Sequence, residues 1–128
     1  MQAPRDITYH KIAHVLELQW PEQRFELPVE LLRVYSPSAE VRGHSGEDRK
    51  LQTGKKYVGI RQIQPVGNYA IRIVFDDGHD SGIFAWDFLH DLGQNQDRYW
   101  QDYLAELKTA NASRLPSIPV GQWQPTGK

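Results

Sequence analysis

The chain has 128 residues, enough for one domain with its own core and too few for two. Fifteen basic and sixteen acidic side chains leave a formal charge of −1, so the overall balance selects neither nucleic acid nor a membrane as partner. Cysteine is absent, which excludes disulfides, thiolate metal sites, cysteine-ligated clusters and a thiol nucleophile.

The opening MQAPRDITYHK is polar and lacks the apolar centre of a signal peptide. No apolar run approaches the ~20 residues that span a bilayer, so the expectation is a soluble protein of the cytoplasm. Residues 7–9 read as a short edge strand. From Val15 the period sharpens: Leu16, Leu18 and Trp20 alternate with Glu17 and Gln19, as on a half-buried strand. Pro21-Glu22-Gln23 makes a turn, and Phe25 and Leu27 alternate with Arg24 and Glu26 on the return. Pro28 suits a helix start, Leu31, Leu32 and Tyr35 form the inner face, and Pro37 ends the helix.

Residues 39–59 have the composition of a long mobile loop punctuated by glycine. From Arg42 to Arg61 six basic residues (Arg42, Arg49, Lys50, Lys55, Lys56 and Arg61) face only Glu47 and Asp48. Such a run is either a solvated loop or a site for an anion or an acidic partner.

A meander follows. Residues 60–66 form a strand, Gly67-Asn68 a tight turn, 69–75 a strand with Ile71, Ile73 and Phe75 on one face, Asp77-Gly78 a turn, and 81–84 the return. Residues 86–92 read as a short helix stopped by Gly93. Asn95 caps a longer helix to about Thr109, with Trp100, Tyr103, Leu104 and Leu107 as a core stripe. After residue 111 three prolines and two glycines without periodicity indicate a disordered tail over 112–128, in which Trp123 is either a docking anchor or part of a flexible end.

LELQWPEQRFELPVELL and IRIVFDDGHDSGIFAWDFL echo each other as strand, turn, strand, helix. Two such β-β-α units imply an α+β fold, with one joint, mostly antiparallel sheet packed against helices.

The chemistry-bearing residues are sparse. His10, His14, His44, His79 and His90 form no HxH or HExxH pair. Only His79, in the Gly78-His79-Asp80 turn, is placed as if for a purpose. Asp76 and Asp77 straddle the tip of that turn, where water keeps both carboxyls ordinary, so no acid–base pair is expected. No nucleophile elbow or phosphate loop is present, and the expectation leans away from an enzyme.

At LLRVYSPSAEVRGH and DDGHDSGIFAWDFL the sequence resembles the family of small bacterial proteins named after the N-terminal domain of γ-butyrobetaine hydroxylase, formerly DUF971. The resemblance covers residues 7–107. In the hydroxylases this domain precedes a separate catalytic domain with iron(II) and 2-oxoglutarate chemistry. The resemblance therefore implies an accessory domain standing alone, not a hydroxylase.

It further implies a structural zinc position, which the hydroxylase domain builds from Leu-Arg-Asp-Asn-Cys-x-Cys-x-x-Cys and a histidine in an Asp-Gly-His turn. Here Leu32-Arg33-Val34-Tyr35 fills the first four places, Ser36, Ser38 and Val41 fill the cysteine places, and His79 fills the histidine place. Neutral hydroxyls are weak zinc donors, so the site is degenerate and no cofactor is expected.

The alternative is a residual metal site of His79, His44 and Asp80. Related domains fused to P-loop iron–sulfur carriers imply, by resemblance, a carrier as protein partner. The leading expectation is a non-catalytic interaction module using the loop from Ser36 to His44, the basic run and the His79 turn, with nucleic acid and membrane not expected as partners.

Overall fold

The computed structural model describes residues 1–37 and 50–117. Two antiparallel three-stranded meanders, each followed by a helix, make up the body. The first comprises β1 (Asp6–His10), β2 (Val15–Gln19), β3 (Arg24–Pro28) and α1 (Val29–Val34). The second comprises β4 (Ile60–Val66), β5 (Ala70–Phe75), β6 (Gly82–Ala85) and α2 (Trp86–Gln94), after which α3 (Gln96–Thr109) closes the fold. No helix among the described residues is long and apolar enough to cross a membrane.

The α+β class and the two echoing units are as expected, but the strands do not share a sheet. Each unit recruits a further strand, β1 or β4, and remains its own sheet in the order β1-β2-β3 or β4-β5-β6. β4 is an edge strand: Pro65 within it has no N–H to offer another strand, and its register with β5 shifts between Ile60 and Gln62. The sheets meet through side chains instead. Tyr9 Oη on β1 accepts a hydrogen bond from Ile60 N on β4 at 3.2 Å, while within the second unit Asp76 Oδ1 accepts one from Gly59 N at 2.9 Å.

Strand alternation places Leu16, Leu18 and Leu27 from the first sheet and Ile71, Ile73, Phe75 and Phe84 from the second in one common core. α2 reaches across to the first unit. A Cβ added at Gly93 would lie 2.4 Å from the Phe25 ring, so this glycine is there for close approach rather than as a stop signal, and the helix continues through it to Gln94. Asn95 stands where expected, between α2 and α3, yet its amide donates to Asp91 Oδ1 at 2.7 Å and makes no side-chain bond to the start of α3.

Of the α3 stripe, Tyr103 and Leu107 are core, whereas Trp100 and Leu104 are half-buried. α3 ends in a Schellman turn: Asn111 takes a positive φ of 52°, Ala112 N donates to Leu107 O and Asn111 N to Lys108 O. The next residues, expected within the tail, form a strap. Gly54 N donates to Ser113 O at 2.9 Å and Lys56 N to Arg114 O at 3.0 Å. The rest of the expected tail, 118–128 with Trp123, lies outside the described residues.

Candidate functional site

α1 is only six residues long and buried on every side, not just along Leu31 and Leu32. Val29, Leu31, Leu32 and Val34 leave no polar face, so Glu30 and Arg33 are both carried inside at 6% exposure. Buried charges need partners, and those partners define two sites.

Arg33 projects to the β5–β6 turn. Its Nε donates to Asp77 Oδ2 at 2.9 Å, its Nη1 to Gln52 Oε1 at 3.3 Å, and its guanidinium carbon lies 6.0 Å from the Phe75 ring centroid. Lys55 Nζ donates to the same Asp77 oxygen at 3.0 Å. Asp77 is therefore not an ordinary solvated carboxylate. Burial opposes its charge, but hydrogen bonds from Lys55, the His79 amide and Arg33 outweigh that and hold its carboxyl below the usual range. Asp76 is engaged elsewhere, by Gly59, so the two acids do not act as a pair.

The turn itself folds inward. Gly78 adopts φ +94°, Phe75 N donates to His79 O at 2.9 Å, and His79 N donates to Asp77 Oδ1 at 3.2 Å. His79 accordingly leaves the exposed tip and is 4% exposed beside Phe75. Its Nε2 lies 2.9 Å from Ser36 Oγ, and Ser36 is fully buried. Gly82 makes this possible: a Cβ there would lie 2.0 Å from that oxygen.

The structure thus brings Ser36 and His79 together and adds Lys55 through Asp77. Asp80 is exposed, and its carbonyl accepts from Arg72 Nη1 at 2.9 Å. Lys50 and Arg61 are exposed, the latter in the stretch where the β4–β5 register shifts, and Lys56 Nζ lies 5.6 Å from the centre of the Tyr57 ring. Ser38, Val41, Arg42, His44 and Arg49 lie outside the described residues. The other described imidazoles are dispersed, with His10 on Glu17, His14 on the Val58 carbonyl and His90 on Gln23. No group of three or more histidine and carboxylate side chains could hold a metal ion among the described residues.

Sequence reasoning missed Arg33, Glu30 and Gly82. The two charges had a signal, since they interrupt a helix otherwise made of Val and Leu. Glu30 belongs to the second site, where Arg114 Nε and Nη2 donate to its two oxygens at 2.9 and 2.8 Å, and Tyr103 Oη donates to Oε2 at 3.4 Å.

Residues 7–90 match the family described as gamma-butyrobetaine hydroxylase-like, N-terminal. The chain belongs to this family. The gamma-butyrobetaine hydroxylase-like match takes in the whole Ser36–His79 site and ends within α2, short of α3 and the strap. Two protein structures solved in solution by NMR are each 46% identical to the chain. One covers 96% of this chain and 98% of its own at a TM-score of 0.79, the other 98% and 95% at 0.78. A crystal structure of a DUF971-family protein of unknown function from Acidithiobacillus ferrooxidans is 35% identical, covering 70% of this chain and 91% of its own at a TM-score of 0.60. No curated protein matches.

Proposed function

We propose that this domain is a non-catalytic interaction module in which a packed hydrogen bond takes the place of the zinc that the family resemblance implies. Its binding face carries the His79 turn and the exposed cations Lys50 and Arg61. The observation that supports this reading is the buried Ser36–His79 contact. A zinc-bound imidazole nitrogen has its donor-to-metal distance at about 2.0–2.1 Å, with thiolates completing the tetrahedron. Here the nitrogen faces a neutral hydroxyl at 2.9 Å, and the backbone of Gly82 closes in from the side. Such a donor set does not fit zinc.

The Arg33–Asp77–Lys55 cluster plays the part of a cross-link, tying α1, the β5–β6 turn and the segment before β4 to one carboxylate. The turn is thereby held rigid for a partner, which is how loops on a fixed scaffold gain specificity. The partner class that the resemblance suggests is an iron–sulfur carrier. With no cysteine in the chain, every thiolate on a shared cluster would belong to the carrier.

Elemental analysis of protein purified without added metal tests the first half of this reading. The expected result is zinc well below one equivalent, unchanged in His79→Ala. Stoichiometric zinc that disappears in His79→Ala refutes it. The second half is tested with purified carrier: Lys50→Glu with Arg61→Glu is expected to weaken capture, and unaltered capture refutes the assigned face.

A further inference from the structure

The end of α3, the strap after it and Lys56 border an open groove of about 440 Å³, apart from the Ser36–His79 site. Leu104, Leu107 and Leu115 give it an apolar lining, and Lys56, Lys108 and Arg114 supply its charged groups, with no carboxylate among its lining residues. A second hollow of about 430 Å³ shares Leu115 and the strap and continues the groove toward Gly54. Together they form a concave strip, apolar at the base and basic at the rim.

Three features fix the chemistry of what would lie there. Arg114 is spent on Glu30 and lies over the Trp100 ring with 5.0 Å to the centroid, so the positive charge left to the groove is that of the exposed Lys56 and Lys108. The Schellman turn caps the carbonyls of Leu107 and Lys108, so the negative end of the α3 dipole is muted where an anion would approach. Of the four cations in residues 50–61 only Lys56 lines the groove, Lys55 being held by Asp77, so Lys56 and Lys108 carry its charge with no acidic lining residue to offset them. The residues after Ser117, IPVGQWQPTGK, carry no acidic side chain and do not supply the complement.

We infer that this groove is a docking site for an acidic peptide segment bearing aliphatic residues, its carboxylates paired with Lys56 and Lys108 and its aliphatic side chains laid on Leu104 and Leu107. Leu107 is recessed at 5% exposure and Leu115 stands out at 53%, so the strip has an apolar base with one raised side chain, a shape that suits a peptide laid along it better than a membrane surface. The inference rests on reading the domain as a binding module, but not on the His79 face. The groove lies largely on α3 and the strap, beyond the residues matched to the family.

Fluorescence anisotropy with a short fluorescein-labelled peptide of glutamates around paired leucines provides the test. Binding to the full chain is expected to saturate, and Lys56→Glu with Lys108→Glu is expected to weaken it by about tenfold or more. Leu115→Ser, at a residue already 53% exposed, is expected to weaken it by about threefold with the fold intact by circular dichroism. Lys50→Glu with Arg61→Glu, which reports on the other face, is expected to leave the affinity within about twofold.

Equal affinity in the Lys56/Lys108 variant, absence of saturable binding, or lysine-dependent retention on phosphatidylserine vesicles without peptide binding each overturns the groove. Binding lost only in the Lys50/Arg61 variant overturns the groove while leaving the His79 face standing. A peptide bound as expected beside a carrier indifferent to Lys50 and Arg61 does the reverse.

Discussion

Gly82→Ala is the sharpest test of the Ser36–His79 site. The backbone at Gly82 is not in the left-handed region, so alanine is conformationally acceptable there and even stabilises through the unfolded chain by about 0.5 kcal/mol. The steric term opposes it. The new methyl carbon would sit 2.0 Å from Ser36 Oγ, 3.2 Å from Phe84 Cε1 and 3.3 Å from Ser36 Cβ. The last two contacts are tight but yield to small shifts, whereas the first requires the hydroxyl to leave. Once rotated away, Oγ no longer meets the imidazole, and two buried polar atoms lose their shared bond at about 1–3 kcal/mol. Overpacking adds about 1–3 kcal/mol. The sum is about 2–5 kcal/mol, or roughly 10 °C in Tm for a domain of this size.

Ser36→Ala alone forfeits the bond but makes room for the methyl, so Gly82→Ala in that background is expected to cost under about 1 kcal/mol. Urea unfolding of the four proteins in the cycle measures the coupling, expected at about 1–5 kcal/mol. Strict additivity would refute the claim that Gly82 exists to admit the hydroxyl.

Asp77 carries a pH signature. Its carboxyl is depressed in the folded state, so its stabilisation is complete above its ordinary value of 3.8 and fades as pH falls through the lower folded value. Asp77→Asn is expected to flatten the acid limb of the stability curve, and an unchanged limb counts against the cluster. Arg114→Ala leaves the Glu30 carboxylate buried beside Tyr103 and is expected to cost about 2–3 kcal/mol, under the figure for a fully enclosed pair because Arg114 is one-third exposed. Hydrogen exchange at the amides of Gly54 and Lys56 should quicken in the same variant, and full protection there would show that the strap holds without the pair. Gly93→Ala is expected to destabilise by about 1–2 kcal/mol even though alanine is the better helix former by about 1 kcal/mol, because the methyl enters the Phe25 ring, and a gain in Tm would overturn that packing.

Local pattern was legible where one face of an element is buried. Leu16 and Leu18 on β2 and Ile71, Ile73 and Phe75 on β5 announced their strands by alternation, and the Gly67-Asn68 and Asp77-Gly78 turns announced the hairpins. The echo between the two units also read through. What failed to read was pairing at a distance. Whether β1 and β4 joined a common sheet depended on Pro65 and on the Tyr9–Ile60 contact, neither of which has a local period. The burial of His79 has no local signature in its turn, because it depends on Ser36, forty-three positions away. Gly93 read as a stop signal and Gly82 carried no local signal at all, yet in three dimensions each is the imprint of another side chain.

The bidentate contact between Glu30 and Arg114 joins residues 84 positions apart. Were the strap to detach, the Glu30 carboxylate would be left inside the protein without its guanidinium. The first meander and the segment after α3 are therefore expected to open as one cooperative unit, although they lie far apart in the chain.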